Sequence, residues 1–567
     1  MESKVGQRWG IPLSRFGLLI AKVAVYATLC LGVASAVDPI DPVQDLLRQR
    51  LEEAPERSVI LVANEPVCTI EHLRRFYQRR TYQPAWCLGA EPLPQAHSLI
   101  RAVRGAYQEG LNPADYHLAA IEKLLRAVPQ TSPAVNSQTP LERVDLDLLL
   151  TDAFLSLSND FSTGRVQPEG RLANWPCGKS NLDLAALLDS AISSRNVESS
   201  LQALLPQRAG YRRLREVLAR YRGTAARGGW ATVADGPKLT KGSTGERVTA
   251  LRNRLRASGD WTPAKESFSD LFDEALQQGV HKFQQRHGLE GDGIVGLSTL
   301  AALNVSVEDR IEQIKVNMER WRWLTRDLEK EFILVNIANF ELYIVENESP
   351  IARMRVVVGK RYRPTPVFAS IMTHLVINPS WNVPRSIAVR EMLPLLRKDP
   401  TYLQKENLKV FKGWKPEEKE LDPGTVDWAA TKPADFKFHF RQTPGPRNAL
   451  GQLKFVFPNQ FDVYMHDTPA RDLFKKSSRE FSHGCIRIER PLDLAEHVLR
   501  GDSAWTRDKL AAAIASGKEL TVPLPRPLPV YILYATAWVD RNGDLQLRQD
   551  TYKLDELVAK AISIPGT

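Results

Sequence analysis

Apolar residues recur at three- and four-residue spacing through most of positions 41–221. "LRRFYQRR", "LDLLLTDAFLSLSNDF" and "YRRLREVLARY" carry the clearest stripes, and that period predicts helices. Pro and Gly punctuate them, so residues 37–230 read as a helical scaffold without chemistry of its own. The Gly-rich "GTAARGGWATVADGPKLTKGSTG" marks a boundary. Residues 236–304 then form a small three-helix unit. Val248, Leu251 and Leu255 make one stripe, Leu276, Val280 and Phe283 another, and "HGLEGDGIVGLSTLAALN" turns into a third short helix. A linking helix, "VEDRIEQIKVNMERWRWL", lies within 305–331. Beyond it the period falls toward two. "EFILVNIANFELYIV", "IARMRVVVG", "ASIMTHLVINPSWNVP" and "LKFVFPNQFDVYMHDTP" are rich in β-branched and aromatic residues, and "ENESP" supplies a hairpin turn. The expected architecture is multidomain α+β, with a mainly β domain over 332–567. A stretch of mixed character from about Arg385 to Gly451, containing Trp414 and Trp428, interrupts that domain. An insertion this long between strands of one domain is often a lid.

A chain of 567 residues is too long for one core. At 43% hydrophobic and 25% charged it is of ordinary globular composition, which argues against disordered or collagen-like classes. The net charge of +10 suits anionic partners. No basic arm or nucleic-acid motif accompanies it, so nucleic acid is not an expected partner. Lys4, Arg8 and Arg15 precede a largely apolar run from Phe16 to Val33, which ends in Ala34-Ser35-Ala36. That layout predicts an export signal over 1–36, cleaved after Ala36. If uncleaved, it would tether the chain to a membrane. Cleavage would remove Cys30 and leave Cys68, Cys87, Cys177 and Cys485. Export permits disulfides, and Cys68 with Cys87 is one pairing the sequence allows. No Cys-x-x-Cys or His-x-x-x-His spacing points to zinc, and neither a metal nor a cofactor is expected. His281 and His287 read as surface or turn residues.

The chemistry centres on "FSHGCIRIERP". Cys485 follows a glycine in a short loop, and "RPLDLAEHVL" then reads as a helix with Pro491 in its first turn. A thiol acts as a strong nucleophile only as thiolate, and a nearby histidine is the usual activating base. His483 lies two residues away. His466 lies 485 − 466 = 19 residues upstream, in a segment whose alternation puts Phe461, Val463 and Met465 on one face and Tyr464 and His466 on the other. A strand-held histidine facing a loop cysteine is the more rigid base, so His466 is favoured over His483.

Two segments resemble known families. "FDEALQQGVHKFQQRHGLEGDGIVGLSTLAALN" is similar to the peptidoglycan-binding type 1 domain. "VVVGKRYRPTP", "NPSWNVP", "PGPRNALGQLKFVFPN", "YMHDTP" and "SHGCIRIERP" resemble the YkuD-type L,D-transpeptidase catalytic domain, in the arrangement of its long YcbB-like branch. The resemblance implies Cys485 as nucleophile, His466 as base, and the backbone carbonyl of Asp467 orienting the imidazole. It implies backbone N–H groups around His483, Gly484 and Cys485 as oxyanion donors, with Ser482, Tyr464 and Trp381 lining the groove. Arg487 stands where smaller members usually show Asn, and a guanidinium there suits a substrate carboxylate.

The implied reaction joins peptidoglycan stem peptides through a thioester with loss of D-Ala. The implied place is the periplasm of a Gram-negative bacterium, beside other wall synthases, and carbapenems are implied inhibitors. With water as acceptor the same site would make an L,D-carboxypeptidase or a hydrolase. A wall-binding protein without catalysis is the third reading, against which the intact Cys485 and His466 count.

Overall fold

The computed structural model describes residues 41–564, apart from 55–58, 90, 127–138, 169–171, 173, 176–181, 263–269, 325–327 and 414–417. The leader, Cys30, Cys177 and Trp414 lie outside the described residues. Among those described, no helix is long and apolar enough to cross a membrane.

The scaffold is built around α1 (Pro140–Thr163). Its start is set by local chemistry: Pro140 occupies the first turn, Glu142 N–H donates to Thr139 Oγ1 at 3.2 Å, and Thr139 N–H donates to the Glu142 carboxylate at 2.8 Å. Apolar residues cover it on nearly every side, so it runs through the core rather than along a surface. Its polar positions are paired. Asp147 accepts from the N–H groups of Ala85 and Trp86 and from the Tyr77 hydroxyl at 2.5 Å. The region is not wholly helical. Short hairpins occur at Ile60–Val62 with Glu65–Val67 and at Cys87–Leu88 with Glu91–Pro92. Cys87 is in no disulfide, so the Cys68–Cys87 pairing does not form, and burial pushes its thiol up to about 12.

After α2 (Ala209–Ala226) come the three helices of the small unit: α3 (Glu246–Ser258), α4 (Glu274–Arg286) and α5 (Leu297–Leu303). The two sequence stripes meet in its core, where all six named residues are fully buried. His287 departs from expectation. It is buried, donates from Nδ1 to Phe283 O at 2.7 Å, stacks on the Phe283 ring, and is held neutral mainly by burial. The unit is docked firmly. Arg286 makes two bonds to Asp260 and a third to Leu545 O, while Arg548 donates to Arg286 O. Leu545 belongs to the hairpin Ala537–Val539 with Leu545–Leu547, whose apolar residues sit in the scaffold core.

The linking helix proves to be a spine. In α6 (Val307–Trp323), Asn317 exchanges hydrogen bonds with Thr536, Arg320 pairs with Asp555, and Arg322 pairs with Glu319. Asn317 and Arg320 tie the helix to the C-terminal half, while Arg322 also donates to Glu109 O and the Tyr211 hydroxyl of the scaffold.

That half is a closed sheet. Its strands are β1 (Glu331–Asn336), β2 (Glu341–Glu346), β3 (Ser349–Gly359), β4 (Phe368–Ile377), β5 (Leu453–Val456), β6 (Met465–His466), β7 (Glu480–Ser482), β8 (Ile486–Ile488) and β9 (Leu520–Leu533). The order is β7-β3-β8-β6-β5-β4-β9-β1-β2, and β2 also pairs with β3, so eight strands form a ring with β7 added at β3. Closure removes exposed sheet edges. The β2–β3 turn puts Asn347 and Glu348 at positive φ, as a two-residue hairpin requires. α7 (Pro491–Val498) follows β8 with Pro491 at its start.

The insertion leaves after β4 and returns at β5, two strands that are themselves paired through Ile377 and Leu453. At its neck, Asn448 donates to Pro379 O at 3.0 Å. It has its own core, in which Trp428 is buried, and a four-stranded sheet in the order Glu420–Leu421, Leu408–Phe411, His439–Gln442, Trp381–Asn382. The subdomain therefore begins at Trp381, slightly before the expected boundary.

Candidate active site

Register assembles the site. β6 runs parallel to β8 with His466 opposite Arg487, and antiparallel to β5 with Lys454 opposite His466. Paired residues project from one face, so Lys454, His466 and Arg487 stand side by side. Cys485 precedes β8 and Tyr464 precedes β6, each two residues from its strand-mate, and they join the same face. The opposite face is core: Val463, Met465, Ile486 and Ile488 are all buried. The alternation expected across Phe461–His466 holds in burial only from Asp462 to Met465, since His466 is buried as well, and only Met465–His466 forms a regular strand.

Half-buried Cys485 lies against Tyr464. The Tyr464 backbone N–H and hydroxyl favour the thiolate form of the Cys485 sulfur, which lies 3.9 Å from the Asp462 carbonyl. Burial pushes the thiol up. The Tyr464 donors, Lys454 and Arg487 pull it back.

His466 is buried, with Nδ1 2.5 Å from the Asp467 carbonyl. A carbonyl can only accept, so Nδ1 carries the proton and Nε2 keeps its lone pair. Burial first, then Arg487, push the imidazole down to about 3, against a smaller opposing effect of the Asp467 carbonyl. Among the described residues no hydrogen bond joins His466 to Cys485. Their rings and sulfur share the face through Tyr464, whose ring centroid is 5.7 Å from that of His466. Such contacts commonly tighten only when substrate is bound.

The loop between β7 and β8 is braced from within. Ser482 Oγ donates to Cys485 O at 2.6 Å and accepts from Gly484 N–H at 3.1 Å. Gly484 has φ +123°, which favours glycine, and its carbonyl accepts from Thr365 Oγ1 at 2.8 Å. Thr365 Oγ1 in turn accepts from Gly359 N–H at 2.9 Å. Two expectations change here. Ser482 is buried inside the loop rather than lining the groove, and Gly484 N–H is engaged within the loop, so it does not face an oxyanion. His483 points the other way: its Nε2 lies 2.5 Å from the carboxylate of Glu391, which also pairs with Arg363 at 3.3 Å. Glu391 sits on a π-helical turn (Ala388–Met392) of the insertion. The insertion therefore touches the Cys485 loop directly.

Trp381 and Tyr464 are both half-buried, and Trp381 packs against the core of the insertion. Lys454 was absent from the sequence-derived site. Its Nζ lies 4.0 Å from the Tyr464 ring centroid. Its signal was present in "LGQLKFVFPN", where it is the one charged position in an apolar strand. A cluster of Glu331, Glu346 and His497 has ligand-like spacing, but arginines neutralise it: Arg500 and Arg526 pair with Glu331, and Arg500 also with Glu346.

Residues 330–510 match the L,D-transpeptidase catalytic domain family, residues 244–303 the family described as "Putative peptidoglycan binding domain", and residues 71–218 a scaffold domain family. A Haemophilus influenzae protein described as "Putative L,D-transpeptidase" is 33% identical over 226 residues, 40% of this chain and 45% of that protein. The N-acetylmuramoyl-L-alanine amidase CwlM of Mycobacterium tuberculosis is 41% identical over 76 residues, 12% of this chain and 19% of that protein. The chain thus spans less than half the length of the curated relatives it matches. The crystal structure of the L,D-transpeptidase from Xylanimonas cellulosilytica aligns at 16% identity and a TM-score of 0.17, covering 53% of this chain and all of that one.

Proposed function

We propose that this chain, which carries an L,D-transpeptidase catalytic domain beside a peptidoglycan-binding domain, cross-links peptidoglycan stem peptides through a thioester on Cys485. The observation that carries the reading is the shared sheet face. Cys485 lies on it with His466, and the Asp467 carbonyl fixes the tautomer that leaves Nε2 basic.

The proton on Sγ passes to His466 Nε2 as sulfur attacks the carbonyl carbon preceding the terminal D-Ala. An S–C bond forms, and in this reading Cys485 N–H donates to the oxyanion. Collapse breaks the C–N bond, and the imidazolium proton goes to the departing D-Ala nitrogen. An amine of a second stem then attacks the thioester, its surplus proton returns through His466 to sulfur, and a new amide links the stems. The Asp467 carbonyl stabilises the imidazolium as an aspartate does in serine triads. The insertion favours an amine over water as acceptor by covering the groove. In this reading the leader directs the protein to the periplasm, where its polymeric substrate lies.

Purified protein incubated with disaccharide-tetrapeptides should give dimers by mass spectrometry, and Cys485→Ala should give none. Shortened monomers alone would reassign the enzyme as a carboxypeptidase. Dimers from folded Cys485→Ala would overturn the nucleophile.

A further inference from the structure

The site face holds two cations that form no ion pair among the described residues, although Glu519 favours the Lys454 ammonium through space. Lys454 and Arg487 flank His466 across β5, β6 and β8, and strands about 4.8 Å apart put their backbones roughly 10 Å from each other. Both side chains are half-buried, and the Arg487 Nε is buried without a hydrogen-bond partner. Among the described residues neither forms an ion pair. The acidic groups nearby are turned elsewhere. Glu519 accepts from Ser380 Oγ at 2.6 Å. The Asp467 carboxylate accepts from Gln452 N–H and pairs with Arg471. Glu391 holds His483 and Arg363. Asp462 offers sulfur only its carbonyl. Uncompensated charge in a half-buried site is costly, and a guanidinium and an ammonium facing one groove suit a carboxylate.

We propose that Lys454 and Arg487 together seat the carboxylate of the leaving residue of the donor stem, and that this carboxylate, by offsetting the charge on both sides of the imidazole, lets His466 take the thiol proton. The proposal rests on the transpeptidase reading above and names what its substrate must carry: a free carboxylate next to the scissile amide. Without the anion, burial and the flanking cations leave His466 a weak base facing a thiol raised by its own burial. With the anion, the Asp467 carbonyl acts unopposed by those charges. An acceptor amine bearing a carboxylate on the same carbon would use the same seat in the reverse sense, which water cannot. Lys454 is a positioning residue in this scheme, acting through charge.

The test compares tetrapeptide donors ending in D-Ala carboxylate and in D-Ala carboxamide, in wild type, Lys454→Met and Lys454→Arg. Thioester formation on Cys485 is followed by mass spectrometry, and alkylation by neutral iodoacetamide reports an intact site. Wild type should prefer the carboxylate donor by roughly 10–100-fold, the scale of one hydrogen bond to a charged group. Lys454→Met should lose most of that preference, slowing the carboxylate donor by roughly 10-fold more than the carboxamide donor, whose own slowing follows from the lost pull on the thiol, and Lys454→Arg should restore it. Equal rates on both donors in wild type, or equal slowing on both in an alkylation-competent Lys454→Met, would overturn the seat. Absence of thioester from either donor would overturn the transpeptidase reading, and the seat with it.

Discussion

Tyr464→Phe isolates one interaction at the sulfur. The Tyr464 side chain does three things: its hydroxyl favours the Cys485 thiolate, that same oxygen feels the Trp381 side chain, and its ring face carries Lys454 at 4.0 Å. Phenylalanine keeps the ring and therefore the lysine contact. It also keeps the backbone N–H that reaches sulfur. What is lost is the hydroxyl, at sulfur and at Trp381 alike. A hydrogen bond to a charged acceptor contributes about 1.5–3 kcal/mol, and one pKa unit corresponds to about 1.4 kcal/mol. The donor favours the thiolate, so its loss pushes the thiol further up. At neutral pH, on the thiol side of that value, alkylation by iodoacetamide should slow about 10–100-fold, with the midpoint of its pH profile moved up to match. Thioester formation should fall by a similar factor. Trp381→Phe, which removes the donor to the same oxygen without touching sulfur, is the control and should leave the midpoint in place. An unmoved midpoint in Tyr464→Phe of unchanged melting temperature would refute the assignment of this hydroxyl to the thiolate.

His466→Ala should slow thioester formation by roughly 10²–10⁴-fold, far more than His483→Ala, whose ring faces Glu391; equal losses would put the base elsewhere. The folded imidazole, pushed down to about 3, binds fewer protons than the unfolded one, so its contribution to stability is complete above the ordinary histidine value near 6.5 and is lost as pH falls. His466→Gln should accordingly flatten the drop in melting temperature between pH 7 and 4. Replacing residues 385–451 with a Gly/Ser linker should shift products from dimers to hydrolysed monomers while Cys485 still acylates, with Glu391→Gln doing so more weakly; an unchanged product ratio in the folded deletion would sink the lid. Removing residues 236–304 should weaken binding to intact sacculi more than reaction with soluble stems. Equal loss on both would show that the bonds from Arg286 to Leu545 O and from Arg548 to Arg286 O prop up the C-terminal half.

Much of this molecule is local information. The stripes of α3 and α4, the Thr139–Glu142 cap of α1, the left-handed Asn347-Glu348 turn and the Pro491 helix start each depend on neighbours within a few residues, so the chain declares them directly. The Ser-His-Gly-Cys phrase and the upstream histidine are of the same kind, since they are residue types at a set spacing. The sequence could not say what faces what. His466 meets Lys454 and Arg487 only because β5, β6 and β8 come together in one register, and a slip of one residue would send all three side chains into the core. Ser482 looks like a groove residue by position, yet the backbone turn at Gly484 folds its hydroxyl inward. Glu391 reaches His483 from 92 positions away, through a subdomain with its own core. The insertion's length is legible along the chain. Its hold on the catalytic loop is a matter of packing between segments distant in sequence, which no local pattern encodes.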